Sequence, residues 1–509
     1  MALNQESRTK NAGRNAVSAV TNKLIILLLT FISRKFFIKY IGIEYLGING
    51  LFSNILTLLS MADLGLGTAM NVNLYKPIAE KDTRKISALL NYYRKIYYYI
   101  ALAVLVVGLS LTPFLDYIVN TDKDIPYLKV YYCVFVIKNV ISYLFIYKSS
   151  IINADQKAHL INRIDIFVNI SRVALQIILV ILFHNYFLYI LAEVLQVTAN
   201  NLIISHIADK NYPFIKKREN LRSEEKTQIF SDISSVFIYK ISWALLSGTD
   251  NILMSIIVGT VYVGMYSNYS AVTVNVESFV ALLFTAVTAG IGNLVATSTP
   301  ERKYQTFRVM QMFSFWIGAI ITICLFFLLQ DFIELWFGKE LLLDNLSLIA
   351  IVLNSFFSIC MRPVWTFREG TGMYRQIRYI MLITALLNLV LSIALGKILG
   401  LSGILFATSI SKISTYFWYE PNLLFRNFFN KGIKDYYKPF FVNILMIVVC
   451  GTICFLFNKF FINGVSIVNW LIKAVVCVIV VNVVYFLYYF KSEEFGEMKA
   501  KAMQIIKRR

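Results

Sequence analysis

Four polar residues interrupt the apolar stretch NRIDIFVNISRVALQIILV and could form a binding surface. Asp165, Asn169, Arg172 and Gln176 are spaced by four, three and four residues. On an α-helix this spacing places them within about 60° of one another, as one polar stripe. Such a stripe can line a water-filled cavity and bind a polar ligand, or it can form an ion pair with another helix. The sequence leaves both uses open.

Lys138 lies near the middle of another apolar run, and Lys240 lies in FIYKISWALLSGTDNILMSI. A lysine at mid-depth has difficulty reaching water along its own side chain, so Lys138 is a candidate cavity residue. Lys240 shares a helix face with Ser247 and Asn251. It is a third cationic candidate, with extension toward the cytoplasm as the alternative.

Three further cations could either line the cavity or anchor their helices at the membrane surface. Asn354, Ser358 and Arg362 follow one another at four-residue steps, and Arg362 is near the inner end of its apolar run. Arg34 and Lys35 lie near the outer end of the first run, where positive charge is unusual. All three cations are included in a predicted cationic binding site.

Two acidic residues are candidates for coupling transport to an ion. Glu193 shares a narrow helix face with Gln196 and Asn200, which are predicted to line the same cavity. Glu193 could instead pair with Arg172, and the sequence does not separate these roles. Asp250 flanks the face that carries Lys240 and is the second coupling candidate.

The motifs of several enzyme classes are absent from the sequence. It contains neither G-x-x-x-x-G-K-[ST], the nucleotide-binding loop, nor H-E-x-x-H, a zinc motif. His159, His184 and His206 are too scattered for a metal site. Asp122-x-Asp124 resembles the acidic pair that holds a metal in some sugar transferases, but its loop of about ten residues has no fold around it. We therefore expect no cofactor, no metal and no enzymatic activity.

The elements that must position these residues are membrane-spanning helices. Of the 509 residues, 58% are hydrophobic and 15% are charged, against about 25% charged in soluble domains. Runs of about 20 apolar residues can cross a bilayer as helices, and the runs here lack the alternation of a membrane β-barrel. We predict fourteen spans in an all-α fold. Their limits are 17–39, 46–70, 91–115, 126–152, 161–183, 185–207, 229–258, 264–296, 305–330, 344–367, 376–397, 400–425, 437–461 and 466–490.

Positive charge collects in every second loop, which sets the orientation of the chain. The amino terminus, the even-numbered loops (209–228 among them) and the carboxyl end KRR are basic, whereas the odd-numbered loops are short and neutral or acidic. Both termini are therefore predicted to be cytoplasmic, in agreement with an even number of spans. The net charge of +20 follows this membrane pattern, so we expect no nucleic-acid partner.

Two short motifs occur twice, in register with the spans. Gly42-x-x-Tyr45-x-Gly47 joins spans one and two, and Gly259-x-x-Tyr262-x-Gly264 joins spans seven and eight. Thr-Ala-x-x-x-Asn-Leu follows at 68–74 and again at 288–294. The sequence thus predicts two parallel copies of a six-helix unit, which in transporters move against one another around a central site. The predicted organisation is a first lobe (1–208), a cytoplasmic linker (209–228), a second lobe (229–430) and two extra helices with a tail (431–509).

The chain resembles a family of membrane transporters. Its segments 40–70, 248–272 and 368–379 resemble the polysaccharide transporters of the multidrug/oligosaccharidyl-lipid/polysaccharide (MOP) superfamily, the Wzx-type flippases. The resemblance covers essentially the whole chain. It implies a bacterial cell-membrane flippase, with a polyprenyl-diphosphate-linked oligosaccharide as cargo. Capsule, exopolysaccharide or O-antigen synthesis would use the product. Glycosyltransferases and a polymerase of the same pathway, together with membrane lipid, are the implied partners.

Three alternatives stay open. A drug and cation antiporter of the MATE type shares the fold, but those proteins look like twelve-span proteins with acidic cavities. A lipid II flippase also resembles a fourteen-span protein with a cationic cavity. A membrane-embedded polysaccharide polymerase or glycosyltransferase belongs to a different class, and such enzymes usually carry a large external loop. The longest outer loop predicted here, about 331–343, is too short for that.

Overall fold

Every element in the described part of the chain is helical. The computed structural model describes residues 8–60, 66–217 and 219–507, with the side chains of most of them. Helices satisfy their backbone hydrogen bonds internally, as crossing lipid requires, and the predicted all-α membrane fold is confirmed. The α-helices are α1 (Arg8–Tyr40), α2 (Ile43–Leu59), α3 (Leu66–Glu80), α4 (Thr83–Ser110), α5 (Leu115–Ile118), α6 (Leu128–Ala154), α7 (Ala158–Phe183), α8 (Tyr186–Asn211), α9 (Ser223–Ile257), α10 (Thr260–Thr297), α11 (Pro300–Phe337), α12 (Asn345–Cys360), α13 (Arg362–Thr371), α14 (Tyr374–Ser414), α15 (Tyr416–Leu424), α16 (Lys434–Phe461), α17 (Ile467–Tyr489) and α18 (Glu493–Lys507).

Nine helical stretches in the described ranges are long and apolar enough to cross a membrane. Helices α12 and α13, bent by 42°, supply a tenth when they are taken as one broken span. One of the nine, Gln376–Phe429, has 54 residues and would be about 80 Å long if straight, against a hydrocarbon core of about 30 Å. Gly400, with a φ of 61°, breaks this stretch into two. The remaining predicted spans correspond to α2 with α3, to α9 and to α10.

The repeated glycine joints have the same backbone geometry. Gly42 has a φ of 110° and Gly259 a φ of 133°, and each immediately precedes a helix. A residue with a side chain rarely adopts such a φ, whereas glycine does so at little cost. The first glycine of each motif therefore turns the chain from one helix into the next.

The last glycines of the two motifs bring α2 and α10 into close contact. A Cβ atom on Gly47 would lie 2.0 Å from the carbonyl oxygen of Thr260. A Cβ atom on Gly264 would lie 2.5 Å from the carbonyl oxygen of Ile43. Only glycine fits at these two positions, so the repeated motif supplies a backbone-to-backbone contact as well as a turn.

The chain divides into two compact units, with the boundary after Gly264. Unit 1 contains α1 to α9, and the α4, α6 and α8 helices pack around a core that includes Tyr93, Tyr97 and Ala208. The sequence places α9 in the second lobe, but α9 packs on α2 and is grouped with unit 1.

The segment between α8 and α9 is attached to α4. The Ser87 hydroxyl donates to the carbonyl oxygen of Phe214 at 3.1 Å, and the Asn91 amide donates to that of Glu219 at 2.9 Å. Lys85 also forms an ion pair with Glu225 in the first turn of α9. The predicted linker is thus held against unit 1 by hydrogen bonds.

Unit 2 is organised around α11, which packs against α12, α16 and α17. Lys473 of α17 forms an ion pair with Asp331 at 2.6 Å, and the Trp316 indole donates to Asn482 of α17 at 3.1 Å. At the other end, Arg308 binds Glu494 of α18 at 2.7 Å. The helices beyond the predicted six-helix repeat are therefore fixed to α11.

Candidate functional site

An ion pair joins α6 and α8 inside the apolar part of unit 1. The Lys138 Nζ lies 2.7 Å from the Glu193 Oε2 and 4.2 Å from the centre of the Phe135 ring. The two charged side chains are 21% and 15% exposed. The sequence offered Arg172 or a coupling ion as the partner of Glu193, and it did not identify Lys138.

The polar stripe on α7 faces α8. Arg172 donates to Gln176 at 2.7 Å and to Asn169 at 3.4 Å. Gln176 is fully buried and donates to the carbonyl oxygen of Tyr189 on α8 at 3.2 Å. These hydrogen bonds join residues three and four positions apart on one face of α7. Arg172 makes no ion pair with any residue that the structure describes.

The end of the stripe nearest the start of α7, at Asp165, is held by other hydrogen bonds. Asn200 of α8 donates to the Asp165 carboxylate at 2.9 Å, and the Asn169 amide donates to the carbonyl oxygen of Asp165 at 2.8 Å. Asp165 lies seven residues from Arg172, which is about 10 Å along a helix. Gln196, on α8 between Glu193 and Asn200, is half-buried.

Tyr189 connects α1 to this group. Its hydroxyl lies 3.5 Å from that of Ser33, and Glu193, Arg172 and Arg34 all act electrostatically on it. Arg34 is half-buried, whereas its neighbour Lys35 is exposed. We call Arg34, Lys138, Arg172, Gln176, Tyr189 and Glu193 the unit 1 cluster.

In the unit 1 cluster, Lys138 and Arg172 both lie near one described carboxylate, that of Glu193, so the two cations exceed the one negative charge. A charge placed at the centre of a bilayer costs about 2.5–3.5 kcal/mol on insertion scales. Glu193 offsets Lys138, and Gln176 and Asn169 offer Arg172 only neutral oxygens. A bound anion would compensate the remaining charge, which is what the chemistry of the cluster permits.

In unit 2 the predicted residues of α12 contact other helices. Asn354 donates to the carbonyl oxygen of Leu405 and accepts from Ser409, both at 2.9 Å. Ser358 donates to Glu277 of α10 at 2.6 Å. The guanidinium of Arg362 lies 5.2 Å from the centre of the Trp365 ring.

Glu277 is a functional candidate that sequence reasoning left without a role. Ser355 donates to its second carboxylate oxygen at 2.8 Å, so two serines of α12 hold one carboxylate of α10. The sequence does mark Glu277 as unusual, because an acidic residue within an apolar helix requires polar partners. Its partners could not be read from the sequence, since they lie nearly 80 positions away.

The remaining predicted residues belong to α9. Asp250 and Asn251 are half-buried on this helix. Lys240 and Ser247 also lie in α9, but their side chains fall outside the described residues.

A second buried ion pair was not anticipated. Arg368 of α13 donates to both carboxylate oxygens of Glu420 on α15, at 3.1 Å each. The two side chains are 5% and 1% exposed, and Arg368 stacks 5.8 Å from the Trp365 ring centre. Arg362 and Arg368 therefore share one tryptophan.

Within the described ranges, no cluster of three or more histidine, cysteine or acidic side chains could hold a metal ion. The six cysteines are free thiols.

Residues 12–289 match the sequence profile of a family described as polysaccharide biosynthesis protein. This match covers more than half of the chain and includes every residue of the unit 1 cluster. None of the curated proteins matches the chain.

Several solved structures share the fold over most of the chain. A lipid II flippase, MurJ, in an inward closed conformation is similar with a TM-score of 0.69 and 16% identity, over 93% of this chain and 98% of that one. An inward-facing multidrug resistance MATE transporter of the MOP superfamily has a TM-score of 0.59 and 14% identity, over 79% and 97%. A MOP superfamily transporter from Pyrococcus furiosus, described by the reverse polarity of its binding pocket, has 0.54 and 15%, over 82% and 96%.

Proposed function

Because the chain belongs to the polysaccharide biosynthesis protein family, we propose that it carries a polyprenyl-diphosphate-linked oligosaccharide across the cell membrane. The cargo would move from the inner leaflet to the outer leaflet, where capsule, exopolysaccharide or O-antigen chains are assembled. The protein would act as a transporter and not as an enzyme. Glycosyltransferases that build the cargo and a polymerase that consumes it would be its partners in the pathway.

The observation that carries this proposal is the excess positive charge of the unit 1 cluster. Lys138 lies about 15 Å from the outer end of α6, and Arg172 about 17 Å from the outer end of α7, at 1.5 Å per residue. Both are therefore near the middle of a hydrocarbon core about 30 Å thick. Cations held at that depth suit a cargo whose diphosphate is negatively charged.

The physical task is to replace the water that surrounds the headgroup. Neither the sugars nor the diphosphate can enter hydrocarbon without their hydration. In a wet, cationic cavity, polar and charged side chains take the place of that water, and the attraction between opposite charges is stronger there than in bulk water. The polyprenyl tail can stay in lipid while the headgroup passes through.

We assign the cavity walls to the residues that the sequence selects in both halves of the chain. Arg34, Lys35, Lys138 and Arg172 would supply cations from the first half, and Lys240 and Arg362 from the second. The polar residues of the same helices would bind the sugar hydroxyls. The two halves would alternate which face of the membrane the cavity opens to, as parallel-repeat transporters do. Glu193 or Asp250 would couple this motion to an ion.

Lipid II is the second candidate cargo. The specific observation in its favour is the similarity to the lipid II flippase structure, which extends over 93% of this chain and 98% of that one. The MATE transporter covers only 79% of this chain. Both candidate cargoes require the same cationic cluster, so the cargo must be distinguished by a direct assay.

The test measures flipping in vesicles with two fluorescent cargoes. Purified protein is reconstituted with a labelled polyprenyl-diphosphate oligosaccharide or with labelled lipid II, and a membrane-impermeant quencher reports the fraction in the outer leaflet. We expect Arg172→Ala to lower the flipping rate at least tenfold. Arg163→Ala should leave the rate unchanged, because Arg163 is exposed on the same helix.

The outcomes separate the candidates. Flipping of the oligosaccharide alone supports the proposal, and flipping of lipid II alone replaces it with the second candidate. If neither cargo moves in vesicles that contain folded protein, the flippase assignment is wrong. If Arg172→Ala flips at the normal rate, the cluster does not bind the cargo.

A further inference from the structure

A polar cavity of about 210 Å³ lies in unit 1, away from the unit 1 cluster. It is found where α4 begins and where α6 and α8 end, which the charge pattern predicts to be the cytoplasmic side. Along α8, Asp209 in the cavity is 16 residues from Glu193, or about 24 Å. The lining residues are Leu90, Asn91, Arg94, Tyr147, Lys148, Asp209, Ile215 and Lys216.

The cavity has a net positive lining, with three cations and one carboxylate. Lys148 is fixed, because it donates to Asp209 at 2.8 Å and to Ser205 at 2.7 Å. Arg94 donates to Asn91 at 3.1 Å. Lys216 is exposed at the rim. Arg94 also bonds to the Tyr147 hydroxyl, but a guanidinium has five N–H donors, so Arg94 and Lys216 keep donors for an anion.

Two buried polar atoms in the lining lack a partner. The Nε of Arg94, a donor, and the Oδ1 of Asp209, an acceptor, form no hydrogen bond with any residue that the structure describes. A buried polar group without a partner costs about 1–3 kcal/mol, so such atoms are rare unless a ligand or water satisfies them. Both atoms belong to residues that line the cavity, so an unsatisfied donor and an unsatisfied acceptor lie in its walls.

Specific hydrogen bonds hold one wall of the cavity in place. Ile215 and Lys216 belong to the segment after α8, which Ser87 and Asn91 hold against α4 through backbone carbonyl oxygens. Ser87 makes a second contact, with the carbonyl oxygen of Lys217. The cavity thus depends on hydrogen bonds between parts of the chain that are more than 120 residues apart.

We propose that this cavity binds a phosphate ester that also carries a free hydroxyl group. The phosphate oxygens would accept hydrogen bonds from Arg94 and Lys216, for which arginine has a suitable planar geometry. The carboxylate of Asp209 accepts only; Lys148 already donates to it, and the hydroxyl would supply a second donor, which a dianionic phosphate cannot. A cavity of this size admits a small headgroup and excludes an oligosaccharide. This site does not depend on the proposed cargo.

The same chemistry occurs in a lipid headgroup and in a soluble metabolite. Phosphatidylglycerol carries a phosphate and two hydroxyls at the membrane surface, and glycerol 3-phosphate carries them in solution. The test uses the full-length protein, delipidated in detergent and confirmed as folded by its thermal unfolding. Native mass spectrometry measures retention of phosphatidylglycerol against phosphatidylcholine, and calorimetry measures glycerol 3-phosphate against inorganic phosphate.

Arg94→Gln should weaken the binding at least tenfold. Lys95→Gln is the matched control, since Lys95 is the next residue of α4, carries the same charge and is exposed. It should bind within twofold of the unchanged protein. Asp209→Asn provides a second variant, which should reduce the preference for glycerol 3-phosphate over inorganic phosphate.

Selective retention of phosphatidylglycerol identifies a lipid headgroup as the ligand, whereas binding of glycerol 3-phosphate without lipid retention identifies a soluble one. Equal binding of inorganic phosphate and glycerol 3-phosphate would overturn the role of the hydroxyl. Absence of binding for all four probes, or equal losses in Arg94→Gln and Lys95→Gln, would overturn the site.

Discussion

At the scale of single residues, the unit 1 cluster combines an ion pair with an arginine whose hydrogen bonds go to neutral side chains. Lys138 and Glu193 neutralise each other across α6 and α8, whereas Arg172 is bound by neutral side chains. The ion pair and the arginine should therefore respond differently to substitution. Removing a partner from a buried ion pair strands the other charge, which costs about 3–5 kcal/mol when both are fully buried.

We predict that Lys138→Met lowers stability and that adding Glu193→Gln restores it. The single variant leaves the Glu193 carboxylate without its partner, and the cost should be below the fully buried value because Glu193 is 15% exposed. The double variant has no stranded charge. Thermal unfolding in detergent measures both effects.

Transport by the double variant then separates folding from function. If Lys138 binds cargo, the double variant should fold but flip cargo at least tenfold more slowly. A double variant that folds and flips normally would reduce this ion pair to a structural role, and the binding site would have to lie elsewhere.

The individual charges of this cluster could be found from sequence, but their partners could not. A lysine or arginine in the middle of an apolar run can be recognised in the sequence alone. The spacing from Asp165 to Gln176 likewise predicts that these polar residues share one helix face. The Lys138–Glu193 pair joins residues on two helices separated by α7, so it exists only after the helices pack. The same holds for Glu277 with Ser355 and Ser358.

At the scale of elements, the glycine joints make a steric prediction. Gly47→Ala should destabilise the protein, because its Cβ would lie 2.0 Å from the carbonyl oxygen of Thr260 and neither backbone can move freely. Overpacking of this kind typically costs about 1–3 kcal/mol. Thermal unfolding should detect the loss.

Gly50→Ala is the matched control on the same helix. Its Cβ would lie 3.5 Å from a Val263 methyl group, which is an ordinary contact. Alanine has a higher helix propensity than glycine by about 1 kcal/mol, so this variant should be neutral or slightly more stable. Equal stability of Gly47→Ala and Gly50→Ala would show that α2 and α10 do not approach as closely as described.

The segment between α8 and α9 makes a pH prediction. The hydrogen bond from Lys85 is the main cause that lowers the pKa of Glu225 below its usual 4.5. A lowered pKa means that the contact is fully present above pH 4.5 and is lost as the pH falls through the lower value in the folded protein. The pair is 31% and 37% exposed, so its contribution is about 0.2–1 kcal/mol.

Amide hydrogen exchange of residues 214–217 should therefore accelerate between pH 5 and pH 3, after correction for the intrinsic rate. Glu225→Gln should show the faster exchange already at pH 7, whereas Glu224→Gln, on the exposed neighbour, should not. Identical pH profiles for the unchanged protein and Glu225→Gln would exclude this ion pair as the attachment.

The sequence identified this segment as basic and polar, and such composition is typical of a flexible linker. Its attachment to α4 depends on side chains such as Ser87 and Asn91, which have no special pattern in one dimension. By contrast, the helices themselves were predictable, since apolar runs of about 20 residues have few alternatives in a membrane. The break at Gly400 was also anticipated by the limits of spans eleven and twelve.

At the scale of the whole molecule, the repeated motif has consequences beyond each joint. Gly42 and Gly259 adopt the same left-handed backbone, and Gly47 and Gly264 contact the opposite joint. We expect a repeated motif whose two copies contact each other when the two halves of a chain descend from one ancestral six-helix segment. The sequence could show the repetition, and only the coordinates show that the two copies touch.

A parallel repeat requires an even number of spans in each half, and this fixes which side of the membrane each loop occupies. The side of the membrane on which a loop lies can be measured with single cysteines, introduced into a variant that lacks the six native cysteines. Asp122, Lys210 and Glu301 are exposed positions next to α6, α8 and α11. Three helices separate the first from the second, and two separate the second from the third.

An impermeant maleimide added to intact cells should therefore label Asp122→Cys and leave Lys210→Cys and Glu301→Cys unlabelled until the cells are opened. Labelling of Glu301→Cys but not Lys210→Cys would mean that α9 and α10 do not both cross the membrane. The halves would then be inverted relative to each other, and the proposal of a parallel six-helix repeat would lose its basis. Labelling of Lys210→Cys and Glu301→Cys with Asp122→Cys protected would instead keep the repeat and reverse the whole chain, which contradicts the distribution of positive charge.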